Sequence, residues 1–224
     1  MIKLDIKIKE TFNGMMKKLQ REKVITFIKS KIENGEVTYK ELYQELLIPY
    51  LSNWHCDEDI QELCIFKEHV STSIIRSIIE INYPYIVQNR MKLIEEGTIT
   101  ELRKKVFIAC PAGEYHEIGA RIVSDIFYLN GYDVLYVGAN TPLNEIIKMT
   151  KVYVPDYIAL SVSDPYNIIS AKKVIQKLKE NNSQSKIIVG GRAFRLNPHI
   201  FSQIKADFLL DTFHEIEKLA EGDK

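Results

Sequence analysis

From residue 104 onward the apolar residues change period at regular intervals, and this alternation restricts the chain to a narrow set of folds. Short apolar runs at 104–110, 133–138, 156–162, 186–190 and 207–211 alternate with segments of helical period at 118–130, 142–152, 166–180 and 197–204, and a closing helix follows His214. Runs of that length bounded by turn residues read as strands buried on both faces. Strands separated by single helices pair in parallel through right-handed crossovers, so five parallel strands covered by helices are expected. Such sheets bind ligands at the carboxyl ends of their strands, and the loops there are where chemistry is sought.

The first of these loops carries the most information. Val106-Phe107-Ile108-Ala109 runs into Cys110-Pro111-Ala112-Gly113-Glu114-Tyr115-His116-Glu117-Ile118-Gly119. A carboxylate two residues before a histidine can accept the bond from one ring nitrogen, which fixes the tautomer and makes the other nitrogen a better metal ligand. Glu114 and His116 therefore read as a metal ligand with its orienting partner, although a lone loop histidine is more often a surface or helix-start residue. The third strand runs into Ser161-Val162-Ser163 and the fourth into Gly190-Gly191. Small or hydroxyl-bearing residues at three strand ends leave room for a bulky ligand, while Gly190-Gly191 taken singly is as readily a plain turn. No Gly-rich dinucleotide fingerprint, phosphate loop or nucleophile elbow occurs, which argues against NAD or ATP.

The first part of the chain is helical in pattern. Val24, Phe27, Ile28 and Ile32 recur at helical spacing and stop at Asn34-Gly35. Thr38 and Glu41 resemble a capping box opening a helix through Leu42, Leu46 and Leu47, with Pro49 placed to kink it. Residues 62–79 and 85–95 supply two further helices, making a four-helix bundle over residues 1–97, and Gly97-Thr98-Ile99-Thr100 reads as the linker to an α/β domain at 98–224.

Charge excludes some functions. Thirty Lys and Arg balance thirty Asp and Glu, so the chain is no basic module and direct nucleic-acid binding is not expected. No segment has the apolar length of a signal peptide or a membrane span, so a cytoplasmic protein is expected. Three cysteines argue against a disulfide framework, so Cys56, Cys64 and Cys110 are expected as packed thiols. A zinc site from His55, Cys56, Cys64 and His69 fits no familiar spacing.

Glu-x-His-x-x-Gly, then Ser-x-Ser, then Gly-Gly resembles the cobalamin-binding domain of corrinoid proteins, a flavodoxin-like, Rossmann-type fold. Arg21-Glu22-Lys23-Val24, the Asn34-Gly35 break, Leu42-Tyr43, Ile48-Pro49 and Glu68-His69-Val70-Ser71-Thr72 resemble the helical bundle preceding that domain in methionine synthase and in B12-dependent photoreceptors. Together the matches cover roughly residues 20–215. Ser163 stands where the family usually has leucine. About four extra residues separate the tryptophan from the Glu-His pair.

The resemblance implies cobalamin as cofactor, with His116 as the lower axial cobalt ligand. Gly113, Glu114, Tyr115 and Gly119 would lie beside the corrin, and Ser161, Ser163, Gly190 and Gly191 would line a slot for its nucleotide tail. A Gly190→Val change is then expected to block the tail without disturbing the fold. Trp54, Ile65, Glu68 and His69 would cap the upper face, with His55 as an upper ligand after photolysis; the plainer reading makes Trp54 and Ile65 bundle core. Glu in place of Asp before the histidine, with Trp54 and Glu68-His69, resembles the photoreceptors. This favours adenosylcobalamin over methylcobalamin and a light-responsive regulator acting through homo-oligomerisation or a partner regulatory protein. The competing expectation is a corrinoid carrier of a methyltransferase system; a domain that has lost the cofactor or uses another tetrapyrrole is a third.

Overall fold

The computed structural model describes residues 4–54, 63–181 and 183–224. The chain divides into two compact units, Met1–Gln88 and Asn89–Lys224.

In the first unit, α1 (Ile6–Lys17) is opened by the Asp5 side chain, which accepts from the Lys7 amide at 2.9 Å. It buries Ile8, Phe12 and Met16, one residue per turn. Helix α2 (Arg21–Glu33) buries Val24 and Ile28 and ends as expected, with Gly35 at φ +70°. The Thr38–Glu41 capping box forms and opens α3 (Tyr39–Glu41), which continues as a π-helix over Leu42–Leu47 and then as α4 (Ile48–Ser52). The π-stretch explains how the expected kink is absorbed. Pro49 has no N–H to give and its ring would strike the carbonyl one turn back, so the preceding turn widens until the Ile48 amide reaches Tyr43.

Helix α5 (Cys64–Glu95) corrects the sequence expectation of two separate helices. Its buried residues Ser71, Ile74, Ile75, Ile78, Ile79, Asn82 and Ile86 keep one helical phase across Pro84, which is itself exposed. Among the described residues the first unit therefore has four helical segments, but α1 supplies one and α5 fuses two. Cys64 is disulfide-bonded, against the expectation of packed thiols, and Cys110 is buried and free; Cys56 lies outside the described residues.

The second unit begins inside α5. Arg90 is nearly buried and donates to the carbonyls of Tyr128 at 2.9 Å, Tyr132 at 2.6 Å and Gly131 at 3.4 Å, with its guanidinium 4.2 Å from the Tyr128 ring. This cation sits on the carboxyl end of α6 (Ile118–Leu129), where the helix dipole favours it. The strands β1 (Lys105–Pro111), β2 (Asp133–Thr141), β3 (Tyr157–Ser161), β4 (Lys186–Gly190) and β5 (Phe208–Leu209) are all parallel, in the order β2-β1-β3-β4-β5. Helices α7 (Leu143–Tyr153), α8 (Ile168–Glu180), α9 (Arg192–Leu196), α10 (Phe201–Ile204) and α11 (Phe213–Gly222) complete the layers. One apolar core joins Phe107, Ile158, Leu160 and Val189 of the sheet to Val174, Ile175 and Leu178 of α8. The strand order reverses between β1 and β3, and this switch point sets the crevice where the loops after those strands diverge.

Candidate functional site

The loop between β1 and α6 opens with a tight turn in which the Glu114 amide donates to Pro111 O at 2.9 Å. Gly113 sits third in that turn at φ +87°, a conformation that favours glycine. A Cβ there would also meet Asn167 Oδ1 at 2.9 Å.

The turn delivers Glu114 to the interior with no exposed surface. Its Oε1 accepts from the His116 amide at 2.9 Å and lies 2.6 Å from His116 Nδ1. Its Oε2 accepts from the Ser163 and Asp164 amides at 2.9 Å and from Asn167 Nδ2 at 3.2 Å. Burial by itself raises the carboxyl's pKa, but the amides of Asp164, His116 and Ser163 and the His116 ring outweigh it and hold the value below normal. Glu114 is a fixed anion binding the loop after β1 to the loop after β3.

The His116 side chain is 59% exposed. With Nδ1 held by Glu114, Nε2 is the nitrogen left for a metal. Among the described residues no cluster of three or more His, Cys, Asp or Glu is placed to hold a metal ion. A single histidine donor suits a metal that arrives already held by a macrocycle. The surroundings fit such a group: a Cβ at Gly119 would meet nothing within 4 Å, and Tyr115 is exposed.

Ser161 and Gly190 pair across β3 and β4, which puts the two remaining loops side by side. The glycines, however, are demanded by the chain itself. A Cβ at Gly190 would meet the Leu210 carbonyl oxygen at 2.6 Å, and one at Gly191, at φ +100°, would meet that of Val162 at 2.5 Å. The expectation that Gly190→Val leaves the fold untouched is therefore corrected; such a change drives a side chain into β5's trailing backbone.

Of the upper-face candidates, Ile65, Glu68 and His69 share one face of α5 at helical spacing. Ile65 is 69% exposed and so is not bundle core; Trp54 and Glu68 are half-buried and His69 is exposed. His55 lies outside the described residues, as does Cys56 of the weighed zinc set.

Sequence reasoning missed Asn140, Asp164, Asn167 and Glu117. Asn140 Oδ1 accepts from the Gly113 amide at 2.8 Å, and Asn167 Nδ2 donates to Gly113 O at 3.1 Å. Glu117 Oε2 accepts from the Ala139 amide at 3.0 Å and from the Tyr136 hydroxyl at 3.2 Å. The one available signal was Asp164-Pro165, a helix-start pair in which Asp164 caps a short 3₁₀ turn over Pro165–Asn167.

Residues 104–214 match the B12 binding domain family. The chain contains a B12 binding domain. The matched residues of this B12-binding domain run from just before β1 to the start of α11. The chain is 27% identical over 116 residues to dimethylamine corrinoid protein 3 of Methanosarcina acetivorans, covering 51% of this chain and 49% of that protein. It is 25% identical over 138 residues to trimethylamine corrinoid protein 1 of Methanosarcina mazei, covering 60% and 61%. The alignment thus spans about half the length of the first of these relatives. The fold is that of the monomethylamine corrinoid protein of Methanosarcina barkeri, with a TM-score of 0.77 at 16% identity over 97% of this chain and 99% of that one.

These relatives overturn the light-responsive reading. The similar proteins are named for methylamines and corrinoids, and the photoreceptor, signalling and adenosylcobalamin expectations have no support among them. Among the described residues no helix is long and apolar enough to cross a membrane.

Proposed function

We propose that this chain is a corrinoid carrier of a methyltransferase system, holding cobalamin with His116 as the lower axial ligand. The observation that carries the reading is the Glu114–His116 pair, in which a buried, fully bonded carboxylate 2.6 Å from Nδ1 leaves Nε2 for the metal. The names of the methylamine corrinoid relatives support carriage over sensing and favour methylcobalamin as the loaded form. When bound, cobalamin supplies a cobalt centre that accepts and gives up a methyl group.

The chain's own residues do the rest. His116 anchors the cofactor from below, and Glu114 fixes the ring's orientation and keeps the proton on Nδ1. Gly113, Tyr115 and Gly119 would hold the corrin, while Ser161, Ser163, Gly190 and Gly191 would hold the nucleotide tail. Trp54, Ile65, Glu68 and His69 enter as candidate contacts to the upper face, on resemblance to related bundles. The partner class is a methyltransferase.

The test loads the full chain with cobalamin and adds a methylamine methyltransferase with its methylamine under reducing conditions. Methylation of the cofactor, followed by visible absorption, should proceed much faster with the loaded chain than with free cobalamin. Equal rates for protein-bound and free cofactor would remove the carrier reading.

A further inference from the structure

Strand β2 departs from regular pairing just where it passes the ligand loop. Ile108 pairs with Tyr136 but Ala109 with Gly138, and Pro111 then pairs with Thr141, so β2 takes two extra residues within this short stretch. Bulges of this kind sharpen the local twist and re-aim side chains, and they gather beside functional sites. Here Gly138 has φ +101° and Asn140 φ +48°. Asparagine is among the few residues other than glycine that enter the left-handed region readily.

The bulged segment is stitched to the ligand loop on both sides of His116. Before it, Asn140 Oδ1 accepts from the Gly113 amide at 2.8 Å and the Asn140 amide donates to Glu114 O at 2.8 Å. After it, the Ala139 amide donates to Glu117 Oε2 at 3.0 Å. A Cβ at Gly138 would meet that same oxygen at 3.0 Å. Asn140 thus grips the backbone of the two residues that set where the Glu114 carboxylate begins, and Glu114 in turn holds the His116 ring.

We propose that Asn140 is a positioning residue for His116: the β2 bulge carries it across the end of β1, where it fixes the register of residues 113–114 and so the fraction of bound cobalamin that takes the histidine ligand. The proposal rests on His116 being the axial ligand. It assigns a role to a residue 24 positions downstream in sequence and on another strand.

The test compares Asn140→Gly, which keeps the left-handed backbone and deletes the acceptor, with Asn140→Asp, which keeps the acceptor. Each variant, with His116→Ala as reference, is titrated with aquocobalamin and read by affinity and visible spectrum. Asn140→Gly should keep the circular dichroism of the parent, exchange its Gly113 amide faster, bind roughly 10-fold more weakly and shift in spectrum toward His116→Ala. Asn140→Asp should restore both affinity and spectrum. A parental spectrum in Asn140→Gly, with His116→Ala altered, overturns the positioning role alone. A parental spectrum in His116→Ala overturns it together with the ligand reading. Loss of the fold in Asn140→Gly also overturns it, because Asn140 would then hold the domain rather than the ligand loop.

Discussion

Glu114 carries more of the site than any other side chain. A carboxylate without solvent contact survives as an anion only if its lone pairs are filled, and five N–H groups from two loops fill them. Replacing it by glutamine turns one acceptor oxygen into a donor facing donors. Glu114→Gln should destabilise the unloaded chain by about 1–3 kcal/mol and weaken cobalamin binding roughly 10- to 100-fold. The pH dependence has a definite sign. Because the folded carboxyl titrates below its ordinary value of 4.5, its contribution is fully present above that value and fades as pH falls through the lower folded one. Thermal melts of wild type should therefore lose stability as pH drops below about 4.5, and Glu114→Gln should show less of that loss; equal pH profiles would contradict the account. The pair itself was legible because both members stand two residues apart at a strand end. Its clamps were not: Asn140 comes from β2 and Asn167 from the 3₁₀ turn after β3, and only Asp164-Pro165 marks the second of these places in the sequence.

At the scale of elements, periodicity located every strand of the sheet, and the short helices after β4 and the fused α5 escaped it. Two helices, at 62–79 and 85–95, were expected, whereas the buried stripe from Ser71 to Ile86 shows why the helix continues across Pro84. The cost of that continuity is visible. Pro84 removes a main-chain bond, and two residues earlier the buried Asn82 donates to Ile78 O at 2.7 Å while its Oδ1 has no partner among the described residues. Since Pro84 is exposed, Pro84→Ala should restore the bond without a clash and raise the stability of the helical unit by about 1–3 kcal/mol. Circular dichroism melts would measure it; an unchanged or lowered midpoint would mean that the proline is accommodated without cost.

For the whole molecule, the alternation of strands and helices determined the class of fold, and the glutamate-histidine loop determined the cofactor. What the sequence misjudged was the biological use. Glu in place of Asp, together with Trp54 and Glu68-His69, pointed toward photoreceptors, while similarity along the chain leads to methylamine corrinoid proteins. Those few side chains do not identify a branch. The physical claim common to carrier and sensor alike is that His116 binds the metal. Electron paramagnetic resonance of the chain loaded with cob(II)alamin, prepared with ordinary and with ¹⁵N-labelled histidine, tests it most directly. The account predicts that the nitrogen splitting on the cobalt lines changes from triplets to doublets with the label, and that the label makes no difference in His116→Ala. Triplets that persist in the labelled protein would show that the axial nitrogen belongs to the cofactor's own base, and would contradict the account.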